Sequence, residues 1–94
     1  MASNGIKDRV AIIGMGCTRF GEHWDKNVDD LLIDAAYDAY ESAGVAPEDV
    51  DAYWLGTMGS FSGLTLSTPL KIPYRPVTRV ENFCATGSES LRQA

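Results

Sequence analysis

The 94-residue sequence contains a single histidine and only two cysteines. That scarcity excludes clustered Cys/His metal sites, which need several such ligands at short spacing. No apolar run approaches the roughly 20 residues of a membrane-spanning helix. The opening Met1-Ala2-Ser3-Asn4-Gly5 lacks the apolar core of a secretory signal. Basic residues are also few: 8 Lys and Arg against 13 Asp and Glu give a net charge of −5. That balance argues against nucleic acid and against anionic membrane surfaces as partners. Without a secretory signal, Cys17 and Cys84 are expected to be reduced thiols, and the compartment to be cytoplasmic. Internal repeats and low-complexity tracts are missing too.

What is present reads as a globular chain, with 45% hydrophobic residues. Residues 1–9 are expected to be a flexible leader. Val10-Ala11-Ile12-Ile13-Gly14 is a continuous apolar run and predicts a buried strand of the parallel kind. A polar connection follows to Asn27, a good helix N-cap, with Asp29 and Asp30 in the first turn. The spacing of Leu31, Leu32, Ala35, Ala36, Ala39 and Ala43 predicts a helix over residues 28–43, closed by Gly44. Its many alanines imply close packing against a sheet or helix. Pro47 suits the first position of a short helical turn.

Residues 51–57 predict a second strand and residues 77–81 a third. Residues 58–69, rich in Gly, Ser and Thr, predict a loop with one helical turn at most. Pro69, Pro73 and Pro76 keep the next stretch irregular. From Thr86 onward a second long helix is expected. The order indicates an α/β layered fold. Three strands and one and a half helices leave sheet faces uncovered, so the chain is expected to be incomplete and to need a complement.

Cys84 is the residue that carries chemistry. It lies between the β-type run ending at Val80 and the helix-forming residues after Ala85. That order places a thiol on a strand-to-helix turn at a helix N-terminus, where about half a positive charge and unpaired N–H groups favour thiolate. The neighbours Ala85, Thr86, Gly87 and Ser88 are small enough to admit a ligand or a second backbone. A buried, inert cysteine is the structural alternative. His23, in a polar loop, has no pattern that pairs it with Cys84, and a solvated or loop-stapling role is its default. Gly14-Met15-Gly16 is no dinucleotide fingerprint, because Arg19 stands at the third glycine position and the helix starts too late. Gly59-Ser60-Phe61-Ser62-Gly63 is no hydrolase elbow, because Phe61 takes the place of the serine. Cys17 reads as a structural thiol. Lys71, Arg75 and Arg79 could meet phosphates, although a solvated face or subunit contact explains them as well. Met58, Phe61, Leu64 and Leu66 could line an acyl pocket or simply pack a core.

Glu81-Asn82-Phe83-Cys84-Ala85-Thr86-Gly87-Ser88-Glu89 resembles the nucleophile motif of thiolases, in particular the lipid-transfer or sterol-carrier type with its Asn-x-Cys-[Ala/Ser]-[Thr/Ser]-Gly-Ser pattern. The opening from Val10 to Gly21, the helix around Asp29-Asp30-Leu31-Leu32, and Asp49-Val50-Asp51 are similar to the same group. Glu81 departs from it, since related thiolases carry Asn three residues before the cysteine. The resemblance implies a layered αβαβα thiolase fold, of which residues 10–94 would be an incomplete N-terminal part. It implies Cys84 as the nucleophile that takes an acyl group from an acyl-CoA, in carbon–carbon bond cleavage or Claisen condensation. No resident cofactor or metal is implied; the CoA thioester is the substrate. The family's catalytic histidine and second cysteine belong to its C-terminal half. A homodimer or larger assembly is expected, with contacts around residues 74–83. Two neighbouring readings are a ketosynthase or hydroxymethylglutaryl-CoA synthase type of condensing enzyme, and a non-catalytic lipid-binding or scaffold subunit.

Overall fold

The structure, a computed structural model, describes residues 5–94. Residues 1–4 of the expected leader lie outside the described residues. Residues 5–9 form a turn in which the Arg9 N–H donates to the Ile6 carbonyl at 3.0 Å.

Helix α1, Val28–Ala43, begins and ends where its capping residues dictate. Asn27 and Asp30 close a reciprocal capping box: Asn27 Oδ1 accepts from the Asp30 N–H at 2.9 Å, and Asp30 Oδ2 from the Asn27 N–H at 3.1 Å. Gly44 stops the helix in the left-handed conformation, at φ 69°. A single 3₁₀ turn, Pro47–Asp49, leads to strand β1, Tyr53–Gly56. Helix α2, Leu64–Leu70, then crosses to strand β2, Val77–Val80. The two strands pair in parallel, with Tyr53 opposite Val77 and Gly56 opposite Val80. Helix α3, Thr86–Gln93, follows a second 3₁₀ turn, Phe83–Ala85. The described chain is therefore a small mixed α/β arrangement around a two-stranded parallel sheet.

Side chains alternate across the strands, so Tyr53, Leu55 and Val77 share one face. There Leu55 meets Leu66 and Leu70 of α2, flanked by Leu32, Ile33 and Ala36 of α1. Leu66 and Leu70 stand four apart on one side of α2, and each buried leucine contributes about 2 kcal/mol. Residues 64–70 thus make a helix of seven residues, more than the one turn expected. The core leucine pair supports it, and Pro69 with left-handed Lys71 (φ 53°) ends it. Leu66 is core, not pocket lining. On the opposite face, α3 packs against the end of β1: a Cβ added at Gly56 would lie 2.5 Å from Ser90 Oγ and 2.7 Å from Thr86 Cγ2.

The expected strand over residues 10–14 is corrected. The segment is extended but belongs to no sheet, and Val10, Ile12 and Ile13 are 65%, 79% and 67% exposed. Instead the chain lies as a strap along α1. A Cβ at Gly14 would meet Ala43 at 2.6 Å, and one at Gly16 would meet the Ala35 carbonyl at 2.2 Å. The Met15 N–H donates to Ser42 Oγ at 3.2 Å and the Cys17 N–H to Asp38 Oδ2 at 3.0 Å. A strand exists through its ladder partner, and here β1 and β2 pair with each other while α1 side chains take the strap's donors. The alanine stripe of α1 does pack closely, but Ala35, Ala39 and Ala43 receive the backbone of this strap.

A hydroxyl pair joins α1 to β1. Tyr40 Oη lies 2.7 Å from Tyr53 Oη, and Tyr53 Oη lies 3.5 Å from the Pro47 carbonyl. Burial, and then the Tyr53 hydroxyl, push the Tyr40 phenol well above its ordinary 10.0. Tyr40→Phe is expected to lower stability by about 1 kcal/mol, read as a lower urea midpoint with an unchanged slope.

Candidate active site

Cys84 is the middle residue of the 3₁₀ turn Phe83–Ala85, between the end of β2 and the start of α3. The sequence-based placement on a strand-to-helix turn holds, and the thiol is exposed and free. Immediately before it, Phe83 adopts a left-handed conformation at φ 47°. For a bulky aromatic residue that conformation costs of order 1–2 kcal/mol, and such strain concentrates at functional turns.

Side chains hold this turn in place. The Phe83 N–H donates to Glu81 Oε2, so the residue that departs from the thiolase pattern serves as a local carboxylate clamp. The Asn82 N–H donates to Thr86 Oγ1 at 2.8 Å, and Thr86 Oγ1 donates in turn to the Phe83 carbonyl at 2.7 Å. Thr86 is the one buried polar residue among the described residues. Ala85 precedes α3 without a side-chain cap, so the partial positive charge of the helix end is not answered by a capping oxygen there.

Further along α3, Arg92 and Gln93 donate to the Glu89 carboxylate. Arg92 first and Gln93 second hold that carboxyl down to about 2, against an ordinary 4.5. The sign follows from linkage: a lowered folded value gives a contribution that is present above 4.5 and lost as pH falls through about 2. Carboxyl NMR titration is expected to give a Glu89 midpoint near 2 at low salt. At high salt the midpoint should move upward, because the pair is exposed and screened.

The other candidates lie elsewhere. His23 is tied into its own loop, with Nε2 at 2.6 Å from the Arg19 carbonyl. Cys17 sits on the strap with Sγ 3.2 Å from the Thr18 carbonyl. Met58, Phe61 and Leu64 are all exposed. A groove of about 920 Å³ runs between α1, the Pro47–Asp49 turn and the end of α2, lined by Ile33, Tyr37, Tyr53, Leu70 and Tyr74 among others. Neither Cys84 nor Met58, Phe61 and Leu64 line it. Arg75 lies 3.9 Å from Asp51, Lys71 caps α2, and Arg79 has a buried Nε without a hydrogen-bond partner among the described residues. Gly87, expected to permit close packing, has nothing within 4 Å of a built Cβ. The described residues contain no group of three or more His, Cys, Asp or Glu placed to hold a metal, and no helix long and apolar enough to cross a membrane.

No protein-family model matches the chain. Among curated proteins it is 41% identical over 92 residues to an acetyl-CoA acetyltransferase of Methanocaldococcus jannaschii, an alignment covering 90% of this chain. It is 38% identical over 91 residues to an acetyl-CoA acetyltransferase of Methanothermobacter thermautotrophicus, covering 88% of this chain. Over about nine-tenths of its length the chain is similar to these acetyl-CoA acetyltransferases. It spans 24% of the length of each of these relatives. Within the described residues, the Cys84 turn is the place where the thiolase-like motif, an exposed thiol and a strained backbone coincide. Residue pattern alone did not single out Thr86 as a structural element. The available signal was a hydroxyl residue at the first position of a helix, a common site for side-chain bonding back to the preceding turn.

Proposed function

We propose that this chain contributes the acyl-accepting thiol, Cys84, of an acetyl-CoA acetyltransferase-type thiolase. The observation that carries the reading is the thiolase-like motif around Cys84, exposed on the turn before α3, in a chain 38% and 41% identical to acetyl-CoA acetyltransferases. In the first step the Cys84 thiolate attacks the thioester carbonyl of acetyl-CoA. The bond from carbonyl carbon to Cys84 Sγ forms and the bond to CoA sulfur breaks. CoA leaves as a thiolate and receives the proton that Cys84 gave up. In the synthetic direction, the enolate of a second acyl-CoA then attacks the acyl-cysteine. A carbon–carbon bond forms and Cys84 leaves as thiolate. The thioester carries its own activation, so this scheme uses no resident cofactor.

The proton-transfer groups for these steps come from outside the 94 residues, since His23 is engaged by its own loop. The names of both relatives favour acetyl transfer over ketosynthase or hydroxymethylglutaryl-CoA synthase chemistry, and over a non-catalytic scaffold. Two free thiols suit a reducing compartment such as the cytoplasm. Exposed Tyr74 and Phe83 support an assembly interface through residues 74–83.

The test uses a fused protein in which this chain replaces the matching segment of the M. jannaschii relative. After incubation with acetyl-CoA, peptide mass mapping is expected to find one acetyl group on Cys84. A properly folded fusion that never carries the adduct overturns the reading.

A further inference from the structure

We infer that Thr86 is a positioning residue for the Cys84 thiol, acting through its buried hydroxyl. This rests on the reading of Cys84 as the acyl acceptor. Four contacts converge on Thr86. Its Oγ1 accepts the Asn82 N–H at 2.8 Å and donates to the Phe83 carbonyl at 2.7 Å, so one hydroxyl bridges the two residues before Cys84. Its methyl group faces Gly56 at the end of β1, where an added Cβ would come within 2.7 Å. Its carbonyl accepts from Ser90 Oγ at 3.0 Å, one turn further along α3. Thr86 is therefore fixed by the sheet on one side and by its own helix on the other, and its hydroxyl transmits that fixed position to the turn. Asn82 and Phe83 need this: Asn82 lies outside regular structure at φ −157°, ψ 50°, and Phe83 holds a left-handed backbone. Water would be a poor substitute for the hydroxyl, because the site is only 9% exposed. Without the bridge, the Asn82 N–H loses its partner and the Phe83 carbonyl keeps only the Thr86 N–H, so Phe83, still held at its N–H by Glu81, is less firmly kept from relaxing toward an ordinary conformation. Relaxation at Phe83 re-aims the next residue, Cys84, relative to the acyl carbonyl.

The fused protein described above, which contains the whole chain, tests this with Thr86→Val and Thr86→Ser. Valine keeps the shape and removes the hydroxyl; serine keeps the hydroxyl. Single-turnover acetylation at saturating acetyl-CoA is expected to fall about 100-fold in Thr86→Val, the scale of a misplaced reacting group, with an unchanged half-saturating concentration. Thr86→Ser is expected to retain the wild-type rate. Amide exchange at Asn82 should accelerate in the valine variant alone. If Thr86→Val does not fold, Thr86→Ser against Thr86→Ala isolates the hydroxyl, since both lack the methyl; alanine is then expected to show the loss. A wild-type fusion that takes no acetyl group overturns the reading of Cys84 and this inference with it. An acetylated wild type matched in rate by Thr86→Val, or by Thr86→Ala, overturns the role of Thr86 alone. A slowed valine variant with unaltered Asn82 exchange also overturns it.

Discussion

Cys84→Ala is expected to remove acetyl loading of the fused protein completely, while Cys17→Ala leaves it at the wild-type level. Both thiols are free and exposed, so access alone does not separate them. Their settings do. Cys17 lies on the strap along α1, its N–H held by Asp38 and its thiol 3.2 Å from the neighbouring Thr18 carbonyl. Cys84 stands on a strained turn ahead of a helix whose first residues carry no side-chain cap. A nucleophile cannot be replaced by its neighbours: loss of the attacking atom is expected to lower turnover by at least about 10⁴-fold. Intact mass after acetyl-CoA treatment and CoA release in the thiolytic direction read the two effects separately. Acetyl loading that persists in Cys84→Ala would sink the assignment.

Gly63→Ala is expected to cost about 3 kcal/mol, at the upper end of overpacking effects. Gly63 opens α2 with an ordinary φ of −66°, so conformational freedom is not the reason for a glycine there. Space is. A Cβ would stand 2.3 Å from the Val77 carbonyl oxygen and 3.0 Å from the Val77 carbonyl carbon. Those are backbone atoms of β2, and no rotamer change can move them. Helix α2 would have to back away from the sheet, taking Leu66 and Leu70 from Leu55. The same substitution at Gly87 has the opposite sign. It lies inside α3 with nothing within 4 Å, so Gly87→Ala is expected to stabilise the helix by up to about 1 kcal/mol. Urea denaturation of the two variants side by side checks both. Equal midpoints would show that the α2–β2 contact does not bear on the core.

Much of the chain is legible in its sequence, and the legible parts share a cause. Helix α1 appears over the expected residues because its stripe, its Asn27 cap and its Gly44 stop are all local. The placement of Cys84 followed from a β-type run meeting a helix-forming one, which also needs only near neighbours. Residues 10–14 misled because a run of Val, Ala and Ile reports burial propensity, not which partner is within reach. Two glycines let that run dock on the alanines of α1. Helix α2 was hidden among Ser, Thr and Gly because its support, the packing of Leu66 and Leu70 on Leu55, is non-local. Met58, Phe61 and Leu64 are apolar and sit in the expected segment, yet they face outward, away from the groove.

The amino-acid order by itself determined the caps and limits of α1 and the turn that presents Cys84. Each depends on hydrogen bonds or backbone preferences that close within a few residues. Only the tertiary structure decided where the strap lies, what Gly63 and Gly56 must leave room for, and that the Thr86 hydroxyl bridges Asn82 and Phe83. These rest on which backbone comes within contact of which side chain across the fold, a distance that composition and spacing do not encode.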